Sequence, residues 1–179
     1  MNKNTFNLSS VTFIILLLLS GCESPNGNNS ANNGQFFPLA VGNKWYYNSG
    51  SSDSKFDIVW QIKGVQIIDN KNYYQLFTSI LKSNTTDTSY YRYSGDTLFT
   101  RTENRDSVIA DFNVRLNDST YWSPGGIVTQ KTQDSITFSA SFNRVFGYSI
   151  TYVRGIGMTS LEKTVEVTHM YKLVDAEIK

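Results

Sequence analysis

Hydrophobic and polar positions alternate with period two along most of the chain beyond residue 36. Phe56, Ile58, Trp60 and Ile62 are interleaved with Asp57, Gln61 and Lys63, the pattern of a strand with one buried face. Before it, Phe36-Phe-Pro-Leu39 forms an apolar turn that leads through Gly42-Asn43 into an aromatic strand ending near Tyr47. After it, Asp69-Asn70-Lys71-Asn72 reads as a hairpin loop with a return strand from Tyr73 to Lys82. A turn over Asn84 to Thr88 precedes a short strand, Tyr90 to Tyr93, and the tight turn Ser94-Gly95-Asp96 leads to Leu98 to Thr102. Beyond a turn at Asn104-Arg105-Asp106, the residues Val108, Ala110, Phe112, Val114 and Leu116 share one face, against Asp111, Asn113 and Arg115. Further strands are predicted over Ile127 to Thr132, Ile136 to Phe142, Tyr148 to Arg154 and Thr164 to Ala176. No stretch of a dozen residues has helical periodicity with caps at both ends. About nine or ten strands with short connections predict an all-β fold, a single antiparallel meander curled into a barrel or half-barrel, because closure removes exposed edges.

The amino terminus follows another rule. Ten mostly polar residues carrying Lys3 precede the compact apolar block Val11 to Leu19, then Ser20 and Gly21, which is a signal-peptide layout. The block is too short for a transmembrane helix, which needs about 20 apolar residues. Leu19-Ser20-Gly21-Cys22 resembles the lipobox of bacterial lipoproteins, in which a diacylglycerol is attached to the cysteine sulfur and a peptidase then cuts before that cysteine. The resemblance implies cleavage between Gly21 and Cys22, lipid on Cys22, and a mature chain held on the membrane. Cys22 is the only cysteine, so it has no internal disulfide partner. Residues 22–35 are rich in Asn, Gly and Ser, with little to bury, and are expected to form a flexible tether. The organisation predicted is therefore a signal peptide over 1–21, a tether over 22–35 and one β domain over 36–179.

Removing residues 1–21 takes away Lys3 and no acid, which leaves 15 basic and 15 acidic residues. That balance gives no electrostatic reason to expect nucleic acid as a partner. Aromatic residues make up 14% of the chain and charged ones 17%, which favours strands over surface helices.

Three segments, Phe37 to Tyr47, Asp111 to Trp122 and Tyr152 to Met158, resemble recurring marks of uncharacterised small β-rich lipoproteins of Bacteroidota and related bacteria. Where that group usually has a glycine before the aspartate of its central mark, this chain has Asn117. The resemblance implies an antiparallel β domain akin to lipocalin-like or lipoprotein-carrier half-barrels, and the lipid-anchored chain is expected in the bacterial cell envelope, at the outer membrane. It implies no activity.

Candidate chemistry is sparse. His169, the only histidine, would share a strand face with Val165, Val167, Tyr171 and Leu173. It reads either as a hydrogen-bonded core histidine or, with Tyr171 and Trp60, as part of the lining of a ligand cavity. A zinc or copper site usually needs more than one imidazole, so no metal or other cofactor is expected. There is no Gly-x-Ser-x-Gly motif, and the Gly155-Ile156-Gly157 stretch lacks the third glycine and following helix of a phosphate loop. Asp96-Thr97-Leu98, Asp106-Ser107-Val108, Asp118-Ser119-Thr120 and Asp134-Ser135-Ile136 resemble the general O-glycosylation signal of Bacteroidota, which would place glycans on Thr97, Ser107, Ser119 and Ser135. The same residues also fit aspartates that close turns before strands.

Three functions fit these features. One is a non-catalytic structural or interaction domain of the cell envelope. Another is a carrier of a lipid or other apolar ligand in the curved sheet. The last is a carbohydrate-binding surface built on exposed Tyr and Trp.

Overall fold

The structure, a computed structural model, describes residues 34–50, 53–120, 126–141, 147–165 and 167–179; within these, nothing is described of the side chains of residues 141, 164, 165 and 167–170. Gly21, Cys22, Trp122 and the side chain of His169 therefore lie outside the described residues. Twelve antiparallel strands form one sheet. They are β1 (Lys44–Asn48), β2 (Ile58–Ile68), β3 (Lys71–Ile80), β4 (Thr85–Ser94), β5 (Thr97–Thr102), β6 (Arg105–Asp111), β7 (Ser119–Thr120), β8 (Gly126–Lys131), β9 (Ser135–Ser141), β10 (Gly147–Val153), β11 (Gly157–Val165) and β12 (Val167–Glu177). The sheet order is β6-β5-β4-β3-β2-β1-β12-β11-β10-β9-β8-β7. Every strand thus neighbours its sequence neighbours, the first and last strands pair, and the sheet lacks only a β6–β7 pairing to close. It is an antiparallel meander, nearly closed into a barrel.

Ten of these strands are those predicted from alternation and turn residues, and the count rises to twelve through β7 and β11. β7 has two residues and offers no pattern to read. β11 was hidden by a bulge: Thr151 pairs with Ser160 but Tyr152 with Met158, so Thr159 is an extra residue. That insertion turns Met158 and Leu161 toward the same core although they stand three apart in sequence. The predicted strand from Thr164 is accordingly two strands, with Val165 paired against Val167 across a hairpin rather than sharing a strand with it. β4 begins at Thr85, earlier than expected, because the polar run Thr85-Thr86-Asp87-Thr88-Ser89 pairs with Ile80 to Leu76. β6 stops at Asp111 and starts at Arg105, so Asp106 is a strand residue, and Leu116 is exposed in a loop.

The turns follow residue chemistry. Asp69 and Asn70, with φ of 49° and 58°, form the two-residue loop between β2 and β3, the left-handed conformation that hairpin turns of this length require. Gly95 serves β4–β5 with φ of 58°.

The core is built by a segment that is not a strand. Phe36, Phe37, Pro38 and Leu39 enter the barrel and are buried. Phe37 stacks on Trp45 at 4.9 Å between ring centroids, and Phe36 stacks on Phe112, also at 4.9 Å. Phe112 in turn contacts Phe138 and Tyr152 at 6.2 and 5.2 Å. Ile58, Ile62, Leu76, Leu98, Ala110, Val128, Ile136 and Met158 complete the cluster. Many polar groups inside are paired, as burial demands. Trp45 Nε1 donates to the Ile156 carbonyl at 2.5 Å, and Tyr47 Oη donates to the Met158 carbonyl at 2.9 Å. The Phe37 N–H donates to the Tyr93 hydroxyl at 3.0 Å. Buried Asn43 clips the two chain segments together: its Nδ2 donates to the Pro38 carbonyl, and its Oδ1 accepts from the Lys179 N–H, each at 2.9 Å.

Candidate functional site

The break between β6 and β7 opens a groove of about 600 Å³. Phe99, Val108 and Val114 supply its apolar lining, Arg105 and Asp111 stand at the two ends of β6, and Ser119 and Thr120 form the opposite lip. Chain segments bridge the break at one end. The Asn117 N–H donates to the Val128 carbonyl at 2.8 Å. Lys131 Nζ donates to the carbonyls of Phe112, at 3.2 Å, and Val114. On the far side of the break, within the β7–β8 pair, Thr120 Oγ1 donates to the Gly126 carbonyl at 2.8 Å and accepts its N–H at 3.1 Å.

Beside the groove lies a cluster that the sequence pattern did not single out. Tyr73, Arg92 and Arg101 come from three successive strands and meet Asp106 on β6. The Asp106 carboxylate accepts from the Tyr73 hydroxyl, from Arg92 Nε at 3.1 Å and Nη2, and from Lys71 Nζ at 3.2 Å. Arg101 Nη1 lies 4.0 Å away, while its Nη2 reaches Asp69 at 2.6 Å. The Arg92 guanidinium also lies over the Phe99 ring at 4.5 Å. The signal that would have found the cluster is register. A two-residue turn after Thr102 pairs Arg101 with Asp106 directly, whereas a turn drawn through Asp106 conceals the pair.

Burial alone pushes the Asp106 carboxyl up, but the hydrogen bonds from Arg92, Tyr73 and Lys71 and the Arg92 charge outweigh it and hold the group well below the usual carboxylate range. Because its folded-state pKa is depressed, its contribution is complete above the ordinary carboxylate pKa of about 4 and is lost as pH falls below that value. Asp106→Asn is expected to destabilise the protein by about 1–3 kcal/mol at neutral pH, since it leaves cations and a buried hydroxyl poorly paired. Urea unfolding at pH 7 and pH 3 checks this. The gap between wild type and variant narrows at the lower pH; an equal gap at both would refute the charge account.

Of the residues singled out in the sequence, Trp60 and Tyr171 pack against one core, while Thr97, Ser107 and Ser119 line the groove. Trp60 packs against Tyr47 at 4.9 Å and edge-on to Phe37 at 6.3 Å. Tyr171 packs on the same core from β12. The His169 backbone pairs with Lys163. Thr97 and Ser107 are half-buried and Ser119 is exposed; all three line the groove at the break. Ser135 is distant from it, at the start of β9, where its N–H donates to Thr132 Oγ1 at 2.9 Å. Thr97, Ser119 and Ser135 each begin a strand, and Ser107 is the third residue of β6.

A second depression, between the β1–β2 connection and the end of β3, is lined by Phe56, Asp57, Leu81 and Lys82. Its buried Asp57 accepts from the Ser49 N–H at 2.8 Å and from the Ser49 hydroxyl, so this carboxylate is tied into a loop. Among the described residues, no three His, Cys, Asp or Glu side chains are grouped to hold a metal ion.

No protein-family model and no curated protein matches the chain. Its structure is similar to the crystal structure of a candidate lipoprotein from Parabacteroides distasonis, with 12% identity, a TM-score of 0.43, and coverage of 80% of this chain and 99% of that one.

Proposed function

We propose that this chain is a lipoprotein of the bacterial outer membrane, tethered through Cys22, whose β domain is a non-catalytic interaction module. The observation that carries the second half is the packed interior. Phe36, Phe37, Pro38 and Leu39 enter the barrel and stack on Trp45 and Phe112, occupying with the chain's own side chains the space that a carrier would keep for an apolar ligand. Interaction then falls to the outer surface and the sheet edges. The first half is supported by the lipobox-like Leu19-Ser20-Gly21-Cys22 after its short apolar block.

Mass spectrometry on protein made in a bacterial envelope tests both halves. Loss of residues 1–21 with a diacylglyceryl group on Cys22 is expected; a free Cys22 thiol, or a mature terminus elsewhere, would overturn the anchor. Under native conditions the protein is expected to fly without a ligand. A reproducible added mass that disappears on denaturation would return the domain to the carrier class.

A further inference from the structure

We infer that the distal half of β2 is a pairing edge for a second copy of this chain. This goes beyond the reading above and does not depend on the lipid anchor. β1 pairs with β2 only over Ile58 to Gln61, whereas β3 pairs with β2 out to Ile68. Gly64 to Ile68 therefore have a partner strand on one side, and among the described residues no backbone bond on the other. The direction of the free groups can be worked out. The Ile62 N–H donates to the Asn43 carbonyl and the Ile62 carbonyl accepts from the Gly42 N–H, so both face the β1 side. The extra residue at Lys63 shifts the alternation by one. The N–H and C=O groups of Val65 and Ile67 therefore point to the open edge.

Natural sheets protect such edges with charge, bulges or brevity. β6 carries Arg105, Asp106 and Asp111 and an extra residue at Ile109, and β7 has two residues. The β2 edge over Gly64-Val65-Gln66-Ile67-Ile68 is short and follows a bulge at Lys63, but it carries no charge and no proline. Val65 and Ile67 share a face and are 47% and 70% exposed. An uncharged, β-prone edge of this kind marks a place where another strand docks.

The segment is complementary to itself. When two copies are laid antiparallel about a two-fold axis through Gln66, Val65 of each faces Ile67 of the other, and Gly64 faces the bulkier Ile68. Lys63 of each then lies opposite Asp69 of the other, a turn residue whose carboxylate also holds Arg101 of its own chain. The Val65 and Ile67 groups form the hydrogen-bonded pairs, and the two Gln66 residues become a non-bonded pair with Cα atoms about 4.5 Å apart. Each Gln66 Oε1 already accepts from Gln75 Nε2 of its own chain at 3.0 Å, which leaves the amide N–H groups and a second oxygen lone pair for the partner. An isologous contact requires the same patch on both partners, and this one supplies apolar, polar and ionic matches in a single register. The paired edge is short, which places the dimer among weak, exchanging associations; confinement to one membrane would raise its occupancy.

The test is disulfide trapping of the full chain in intact bacterial cells that express it, under a mild oxidant, with wild type, whose single cysteine is Cys22, as background. Gln66→Cys is expected to trap a dimer at least tenfold more efficiently than Ile67→Cys, whose two copies in this register lie beyond the roughly 7 Å Cα limit for a disulfide. Adding Val65→Lys to Gln66→Cys is expected to abolish trapping with an unchanged circular dichroism spectrum, since Val65 is exposed. No dimer from Gln66→Cys, or equal trapping at Gln66, Ile67 and a distant exposed position such as Ile127, would overturn the proposal.

Discussion

Phe37→Ala is expected to cost about 3–5 kcal/mol of folding stability, the range for removing a buried phenylalanine ring, and to lower the melting temperature by roughly 10 °C or more. Phe37 is almost wholly buried and touches Trp45, Trp60 and Tyr91, with centroid distances of 4.9, 6.3 and 6.1 Å. Its loss therefore leaves a hole walled by rings whose own backbones are fixed in different strands, and such walls collapse poorly. An apolar cavity of that kind stays dry and admits small apolar probes, so benzene or xenon is expected to stabilise Phe37→Ala and to leave wild type unaffected. A melting temperature within 2–3 °C of wild type, about 1 kcal/mol by the usual scaling, would mean that residues 36–39 lie on the barrel rather than inside it. The result bears directly on function, because the packed interior separates an interaction module from a carrier.

That plug marks the limit of what the sequence disclosed. Alternation and turn residues together identified ten strands, even where extra residues at Lys63, Ile109 and Thr129 break period two within β2, β6 and β8. They could not show that Phe36-Phe-Pro-Leu39 goes inside, since an apolar turn before a strand has the same composition whether it caps the barrel or fills it. β11 was illegible for a specific reason: the extra residue at Thr159 breaks period two, so Met158 and Leu161 look unrelated although both reach the core. The Asp106 cluster joins residues up to 35 positions apart in sequence, and only strand register brings them together. The bare β2 edge was equally hidden. Its residues read as an ordinary strand, and its importance comes from β1 ending four pairs along it. Local chemistry thus fixes turns and faces, whereas plugs, clusters and free edges depend on which strand stops where.

The interior also predicts its most intolerant glycine. Gly157, at the start of β11, has φ of +113°, and a Cβ there would lie 2.8 Å from Trp45 Nε1 and 3.1 Å from Phe37 Cδ2. Neither neighbour can retreat easily. The indole is fully buried and its Nε1 donates to the Ile156 carbonyl at 2.5 Å, so displacing it breaks a hydrogen bond and the Phe37–Trp45 stack together. Gly157→Ala is thus expected to combine backbone strain of about 1–3 kcal/mol with overpacking of about 1–3 kcal/mol, and to approach complete loss of the folded state in a domain of ordinary stability. Gly95→Ala is the matched control: its φ is +58°, but nothing lies within 4 Å of the added carbon. It should show the cost of a left-handed backbone alone, about 1–2 kcal/mol. Thermal unfolding of the two variants side by side separates collision from strain. If Gly157→Ala melts within a few degrees of Gly95→Ala, the aromatic plug yields at little cost and the barrel is looser than its packing implies. A much larger loss at Gly157 alone would fix Trp45 and Phe37 as the rigid centre on which β1, β11 and the amino-terminal segment close.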